Sequence, residues 1–409
     1  MSETKIMFLG LKPYLAILKN RNLFIILIAE ETRLFIGAFL TWFLPILTYE
    51  IGGAILLATL YTIQYSMPFL VLIISSVLAD VLGRKAILLA GRCITWLASV
   101  LILVAYVFKN PIALLGVYVL ISLFTQAIDN IIGVIVMESL PKEVLGRAAS
   151  MFTVITMIVA SSGSILYGWL MTWVDVLYLL IMMVVVRLFL LPLYLMIEET
   201  GRRMERRFKR TVDEVIDRFK SILRPSTYSF PIALYIVYTI PGALTSGIVC
   251  PYFWPFFREV CGLTPLLLSI ASTCADLATA IGNLIGGILV DKYGPLRTLM
   301  IYNIIVSPAL VAFSLAPNPI PIVAYSISSG SSGLSNVASF KYVRLITRDE
   351  DRAMILGVLT TIGYLSRVPG PLIGAYLWNI SPILPFLISA TDVFIRLPLL
   401  IYMKAKLKL

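Results

Sequence analysis

Twelve times along its 409 residues the sequence sustains an apolar run long enough for a helix to cross a bilayer, which takes roughly 20 residues. The runs fall near 23–48, 51–79, 86–108, 111–139, 147–172, 175–197, 229–257, 265–290, 297–315, 319–343, 354–378 and 382–403. Polar residues or Pro/Gly breaks separate them, least clearly between the first two, at Glu50-Ile51-Gly52-Gly53. A water-soluble core cannot hide this much apolar surface, since 59% of residues are apolar, 13% are charged and mean hydropathy is +0.95. The same composition excludes disorder, collagen and a disulfide scaffold. The expected fold is an all-α integral membrane protein with twelve transmembrane helices.

The net charge of +11 would suggest a nucleic-acid partner in a soluble protein. Here its placement argues otherwise. Of 33 Lys and Arg, four fall deep within the runs (Arg33, Arg187, Arg367 and Arg396) and two on one side of the bilayer (Lys109 and Arg258), those at the ends of runs being counted with the adjoining side. The remaining 27 gather on the other side, which marks it as cytoplasmic and places both termini there. No nucleic-acid partner is expected. With no histidine, imidazole proton transfer and metal ligation are excluded. Cys93, Cys250, Cys261 and Cys274 form no CxxC, so no metal or cofactor site is read. Cys250 and Cys261 flank the outer end of span 7 and are read as reduced thiols rather than a disulfide. The start lacks an apolar stretch followed by a small-residue cleavage site, so no signal peptide is expected.

Residues 1–197 and 229–409 are read as two six-helix bundles, joined by a basic linker at 198–228. In the linker Met204, Phe208, Val212, Val215, Phe219 and Ile222 recur at spacings of 4, 4, 3, 4 and 3. That stripe lies opposite Arg202, Arg203, Arg206, Arg207, Lys209 and Arg210, so an amphipathic helix on the inner membrane surface is expected.

The two halves repeat. Asp80-Val-Leu-Gly83-Arg84-Lys85 after span 2 matches Asp291-Lys-Tyr-Gly294-Pro-Leu-Arg297 after span 8. Gly146-Arg147-Ala148 after span 4 corresponds to Asp351-Arg352-Ala353 after span 10, and Arg187 in span 6 to Arg396 in span 12. The stretch Leu78-Ala-Asp80-Val-Leu-Gly83-Arg84-Lys85 resembles the loop motif between helices 2 and 3 of the major facilitator superfamily, with Ser75 or Ser76 where a leading Gly is usual. The copy Gly287-Ile-Leu-Val-Asp291-Lys-Tyr-Gly294 keeps that Gly but ends in Pro-Leu-Arg297. The resemblance covers the whole chain. It implies two parallel six-helix repeats that work by rocker-switch alternating access. It also implies that charge contacts near Asp80, Arg84, Lys85, Asp291 and Arg297 hold the cytoplasmic gate, with Glu138 and Arg147 joining them. Gly83 and Gly294 supply the tight turns.

Ionisable groups inside a bilayer are costly and so are functional candidates. The acids are Glu30, Glu31, Asp129, Asp276 and Asp392. By the resemblance, spans 1, 4, 7 and 10 line the central cavity. Span 1 carries Glu30, Arg33, Gly37 and Thr41 on one face, with Glu31 about 100° away. Span 4 presents Gln126 and Asp129, with Asn130 beside them. Glu30, Arg33 and Asp129 at one depth form the leading site, and an Arg contact broken as the protein rocks would change proton affinity. Asp276 in span 8, Asn336 in the serine- and glycine-rich span 10, and Arg367 in span 11 are further candidates. Arg187 and Arg396 are read as a shared structural role, with Asp392 as partner to Arg396. Tyr235, Tyr238, Trp254 and Trp42 offer stacking surfaces, but interfacial anchoring or lipid contact is the first reading for each.

These residues point to a monomeric, lipid-embedded, proton-coupled carrier of a small organic solute in a prokaryotic plasma membrane, possessing no enzymatic activity. An exporter of amphipathic or cationic compounds is the first form considered. An organic-anion carrier using Arg33 or Arg367, and a cation or metal carrier, are the alternatives. A receptor without transport or a membrane enzyme is the reading from another class, and no nucleophile–base pair or phosphate loop supports it.

Overall fold

The computed structural model describes residues 20–67, 83–139, 142–199, 229–347 and 352–407, and every regular element among them is helical. The linker stripe in 200–228 and Asp80 lie outside the described residues, as do the side chains of Gln126, Asp129, Asn130, Glu138 and Arg147. The first half comprises α1 (Arg21–Gly37), α2 (Leu40–Ser66), α3 (Arg84–Phe108), α4 (Pro111–Ser139), α5 (Lys142–Leu170) and α6 (Val176–Leu195). The second comprises α7 (Phe230–Val249), α8 (Pro265–Tyr293), α9 (Pro295–Leu315), α10 (Ile320–Ile346), α11 (Arg352–Arg367), α12 (Gly370–Ile380), α13 (Leu384–Ala390) and α14 (Val393–Leu407). Beyond α7 a 3-10 turn (Cys250–Tyr252) and a π-helical turn (Phe256–Val260) carry the chain on.

These elements account for the twelve spans. Seven helical stretches among the described residues are long and apolar enough to cross a membrane, Phe230–Val260 counting as one. Spans 11 and 12 are each split in two, after Arg367 and after Ala390. Span 1 is broken after Gly37, and its outer part runs into span 2 within α2. Gly52 and Gly53 leave the helical region there, and Gly53 takes φ 66°, which a side chain disfavours. The faintest break in the sequence is thus a real interruption of the helix with almost no loop.

Helix starts follow local chemistry. Asn20 accepts from Leu23 N at 3.1 Å and Asp175 from Leu177 N at 2.7 Å, each satisfying an orphan donor of the first turn. Packing then repeats between the halves. Helix α1 lies on α5 and α6, and α3 on α4 and α6; α7 lies on α11, α12 and α13, and α9 on α10, α13 and α14. Helices α8 and α10 approach through Gly282, Gly330 and Gly333, where a Cβ would strike the facing backbone. The small residues of span 10 therefore serve close packing.

The described residues divide into two compact units, 20–40 with 83–199 and 41–66 with 229–407. The first is centred on Ile26, Ala29, Leu88, Ile128, Leu190 and Tyr194. The second has Tyr235, Tyr238, Leu299, Tyr342, Leu400 and Met403 at its centre. In the second, α2 meets α12 through Trp378, whose indole donates to Tyr49 Oη at 3.1 Å and stacks on Tyr252 at 5.2 Å. Thr62 Oγ1 donates to the Val368 carbonyl at 3.3 Å.

One expectation is overturned. Trp42, Tyr235, Tyr238 and Trp254 are all buried within the protein rather than facing lipid or the interface. Trp254 belongs to an aromatic cluster with Phe257 and Tyr325, and Tyr235 packs on Tyr342 at 4.7 Å. Lipid and protein interior are equally apolar, so an aromatic side chain finds a dense aromatic neighbourhood at no transfer cost.

Candidate functional site

The leading site centres on Glu30, in the middle of α1. Its carboxylate accepts three hydrogen bonds and has one further ion-pair contact. Arg92 of α3 grips both oxygens, Nε to Oε1 at 2.7 Å and Nη2 to Oε2 at 2.6 Å. Arg33, one turn along α1, donates to Oε2 at 2.9 Å, and Tyr194 of α6 to Oε1 at 2.8 Å. Glu30 is 7% exposed and Arg92 is 2% exposed. A buried charge is tolerable only when paired and hydrogen-bonded, and here both carboxylate oxygens are hydrogen-bonded and two guanidiniums pair the charge.

Arg187 of α6 is a third guanidinium at this place. It donates from Nη1 to Ser99 Oγ at 2.5 Å, while its Nε is buried without a hydrogen-bond partner. It lies over Gly37, where any Cβ would overlap the guanidinium. Between Arg33, Arg92, Arg187, Trp96 and Tyr194 a space of only about 10 Å³ remains. This cluster is filled by its own side chains.

Glu31 differs. Its Oε1 accepts from Thr156 of α5 at 2.6 Å, and its Oε2 is buried with no hydrogen-bond partner. The two adjacent acids of span 1 thus have opposite surroundings: Glu30 is saturated and Glu31 is half satisfied.

The second half holds the counterpart of Arg187. Arg396 of α14 lies over Gly242 of α7, where a Cβ would again overlap the guanidinium. Its Nη1 donates to Asp392 Oδ2 at 3.2 Å, and its guanidinium carbon sits 4.3 Å from the Tyr238 ring centre and 5.4 Å from that of Tyr302. Here the space is not filled: a cavity of about 290 Å³ opens between α7, α9, α10 and the α13–α14 break.

The remaining candidates are scattered. Asp276 is exposed on α8, and Asn336 is exposed on α10. Arg367 closes α11 with its guanidinium 6.0 Å from the rings of Tyr65 and Tyr364. At the loop motifs, Gly83 (φ 97°) and Gly294 (φ 81°) start α3 and α9 with backbone that favours glycine. Glu199 accepts from the Arg84 and Lys85 backbone N–H groups at 2.9 and 3.2 Å, and Lys85 Nζ donates to the Leu195 carbonyl at 2.6 Å. Asp291 pairs with Lys341 of α10 at 3.2 Å, and Arg297 is exposed on α9.

Two functional contacts escaped the reading of the sequence. Arg92 was counted among the cytoplasmic bases, yet it lies eight residues into α3 and is the main partner of Glu30. Glu199, beyond α6, caps α3; its signal was an acid directly after an apolar span, beside the basic loop it serves.

Comparison with known proteins agrees with this architecture. The family model of the Major Facilitator Superfamily matches residues 24–249 and 239–404. "Putative transporter AmpG 1" of Rickettsia conorii (strain ATCC VR-613 / Malish 7) is 22% identical over 345 residues, covering 77% of this chain and 81% of that protein. The nucleoside transporter NupG has the same fold at TM-score 0.72 and 13% identity, covering 94% of this chain and 99% of its own. A bacterial homologue of the iron transporter ferroportin in inward-facing state follows at TM-score 0.70 and 15% identity, covering 93% and 98%. The cargo named for these two structures differs, so the fold does not specify a solute. With matches that run through both halves, and with twelve spans and a repeated loop motif, the chain is a membrane-embedded secondary transporter and belongs to the Major Facilitator Superfamily.

Proposed function

We propose that this transporter moves a small organic solute by alternating access, driven by protons exchanged at Glu31 of α1. The observation that carries the reading is the contrast between Glu30 and Glu31. Glu30 is held by Arg33, Arg92 and Tyr194 and serves as the fixed charge around which α1, α3 and α6 are organised. Glu31 has one donor, Thr156, and one buried oxygen that a proton would satisfy. Its donor comes from α5, so a shift of α5 against α1 would alter the stability of the bound proton. Asp129, on α4, is the second acid of the proton route. The closed packing around Glu30 favours a coupling element over a solute pocket, since only about 10 Å³ is open there. The distribution of Lys and Arg supports both termini being cytoplasmic, in a prokaryotic plasma membrane.

The test uses proteoliposomes loaded with a pH-sensitive dye and offered a panel of amino acids, amines, organic acids and sugars. The expected result is proton movement with at least one solute, lost in Glu31→Gln while counterflow of that solute persists. Wild-type proton movement in Glu31→Gln, or none with any solute in the wild-type protein, would overturn the reading.

A further inference from the structure

We propose that the cavity of the second half is a binding site for a small zwitterion of the amino-acid type, docked on Asp392 and Arg396. The inference stands apart from proton coupling at Glu31 and does not depend on it. At about 290 Å³ the cavity is at the small end of ligand pockets, which run from ~300 to ~1,000 Å³.

Two of its polar atoms are left open. Asp392 is 9% exposed; its Oδ2 accepts from Arg396, while Oδ1 is buried with no hydrogen-bond partner. Arg396, 7% exposed, has Nε in the same condition. Several wall hydroxyls point their protons at backbone carbonyls instead. Thr245 donates to Pro241 and Gly242, Ser307 to Ala390, and Ser389 to Thr245. Ser332 donates to Ser328. The hydroxyl oxygens of Ser307, Ser332 and Ser389 are left as acceptors.

The site therefore asks for a donor group at Asp392, surrounded by accepting oxygens, and for an acceptor at Arg396 Nε. An ammonium meets the first demand with three N–H groups, and a carboxylate meets the second. The pair carries no net charge, so a solute bearing one charge alone would leave an uncompensated charge in a desolvated site. A zwitterion does not. Phe253, Val306 and Leu310 line the remainder and fit an apolar or small side chain. The corresponding place in the first half is closed by Arg33, Arg92 and Arg187, so the site belongs to the second half alone.

The experiment measures ligand-induced thermal shifts of the purified full-length protein in detergent at one fixed pH. Leucine, phenylalanine and serine are each offered beside the amine lacking the carboxylate and the acid lacking the ammonium. At least one amino acid should bind, and both of its singly charged relatives should bind at least ~10-fold more weakly, because each leaves a buried partner unpaired. Asp392→Asn should erase the preference for the amino acid over the acid. Val306→Phe, which fills the cavity without touching the ion pair, should abolish binding. If no amino acid outbinds both relatives in the wild-type protein, or if Val306→Phe leaves the affinity unchanged, the proposal fails. The matched solutes decide on wild-type protein alone should Asp392→Asn not fold.

Discussion

The two halves share a plan and differ at one place. In both, an arginine from the last span lies over a glycine of the first, Arg187 on Gly37 and Arg396 on Gly242. In the first half that place is closed by a second and third arginine around Glu30. In the second half a lone aspartate faces the arginine and a cavity remains. The same bedding for a buried guanidinium thus occurs twice, once in a tight ion cluster and once beside an open cavity.

Substitutions sharpen the contrast, and melting of detergent-solubilised protein measures them. The largest effect is expected at Arg92→Ala, which strips Glu30 of its most buried ion-pair partner and strands a buried charge, at about 3–5 kcal/mol. Gly37→Ala and Gly242→Ala should each cost about 1–3 kcal/mol by displacing the guanidinium above them. Unequal costs would break the claim that the bedding is shared. Asp392→Asn should cost about 1–2 kcal/mol, less than Arg92→Ala, since one of its oxygens has no hydrogen-bond partner to lose. If it costs as much as Arg92→Ala, the second half is as tightly clustered as the first. The smallest effect is expected at Lys341→Ala, which removes an exposed pair worth about 0–1 kcal/mol.

Much of the fold was legible because a bilayer imposes a length on each helix. The runs of apolar residues mark the spans, and even the faint Glu50–Gly53 break coincides with the kink at Gly52 and Gly53. The site was legible in part. Glu30 and Arg33 share a face by helical spacing alone, and that contact is present. Arg92 was missed because a base near the end of a span, beside a basic loop, looks like a topology signal. Only packing reveals that α3 turns it inward against α1. Trp42 and Trp254 were misread for a related reason: apolar periodicity separates inside from outside only when the outside is water. Which of Glu30 and Glu31 is the saturated acid depends on Arg92, Tyr194 and Thr156, which lie 62, 164 and 125 residues away in the chain from the acids they contact.

The indole of Trp378 is wedged between two tyrosines, hydrogen-bonded to Tyr49 on one side and stacked on Tyr252 on the other. Because Tyr49 belongs to α2 and Trp378 to α12, that fluorophore is a built-in optical gauge of whether those two helices remain docked. Light emitted by this one side chain, with the other five tryptophans replaced, would report in real time on a step that transport assays register only as an average.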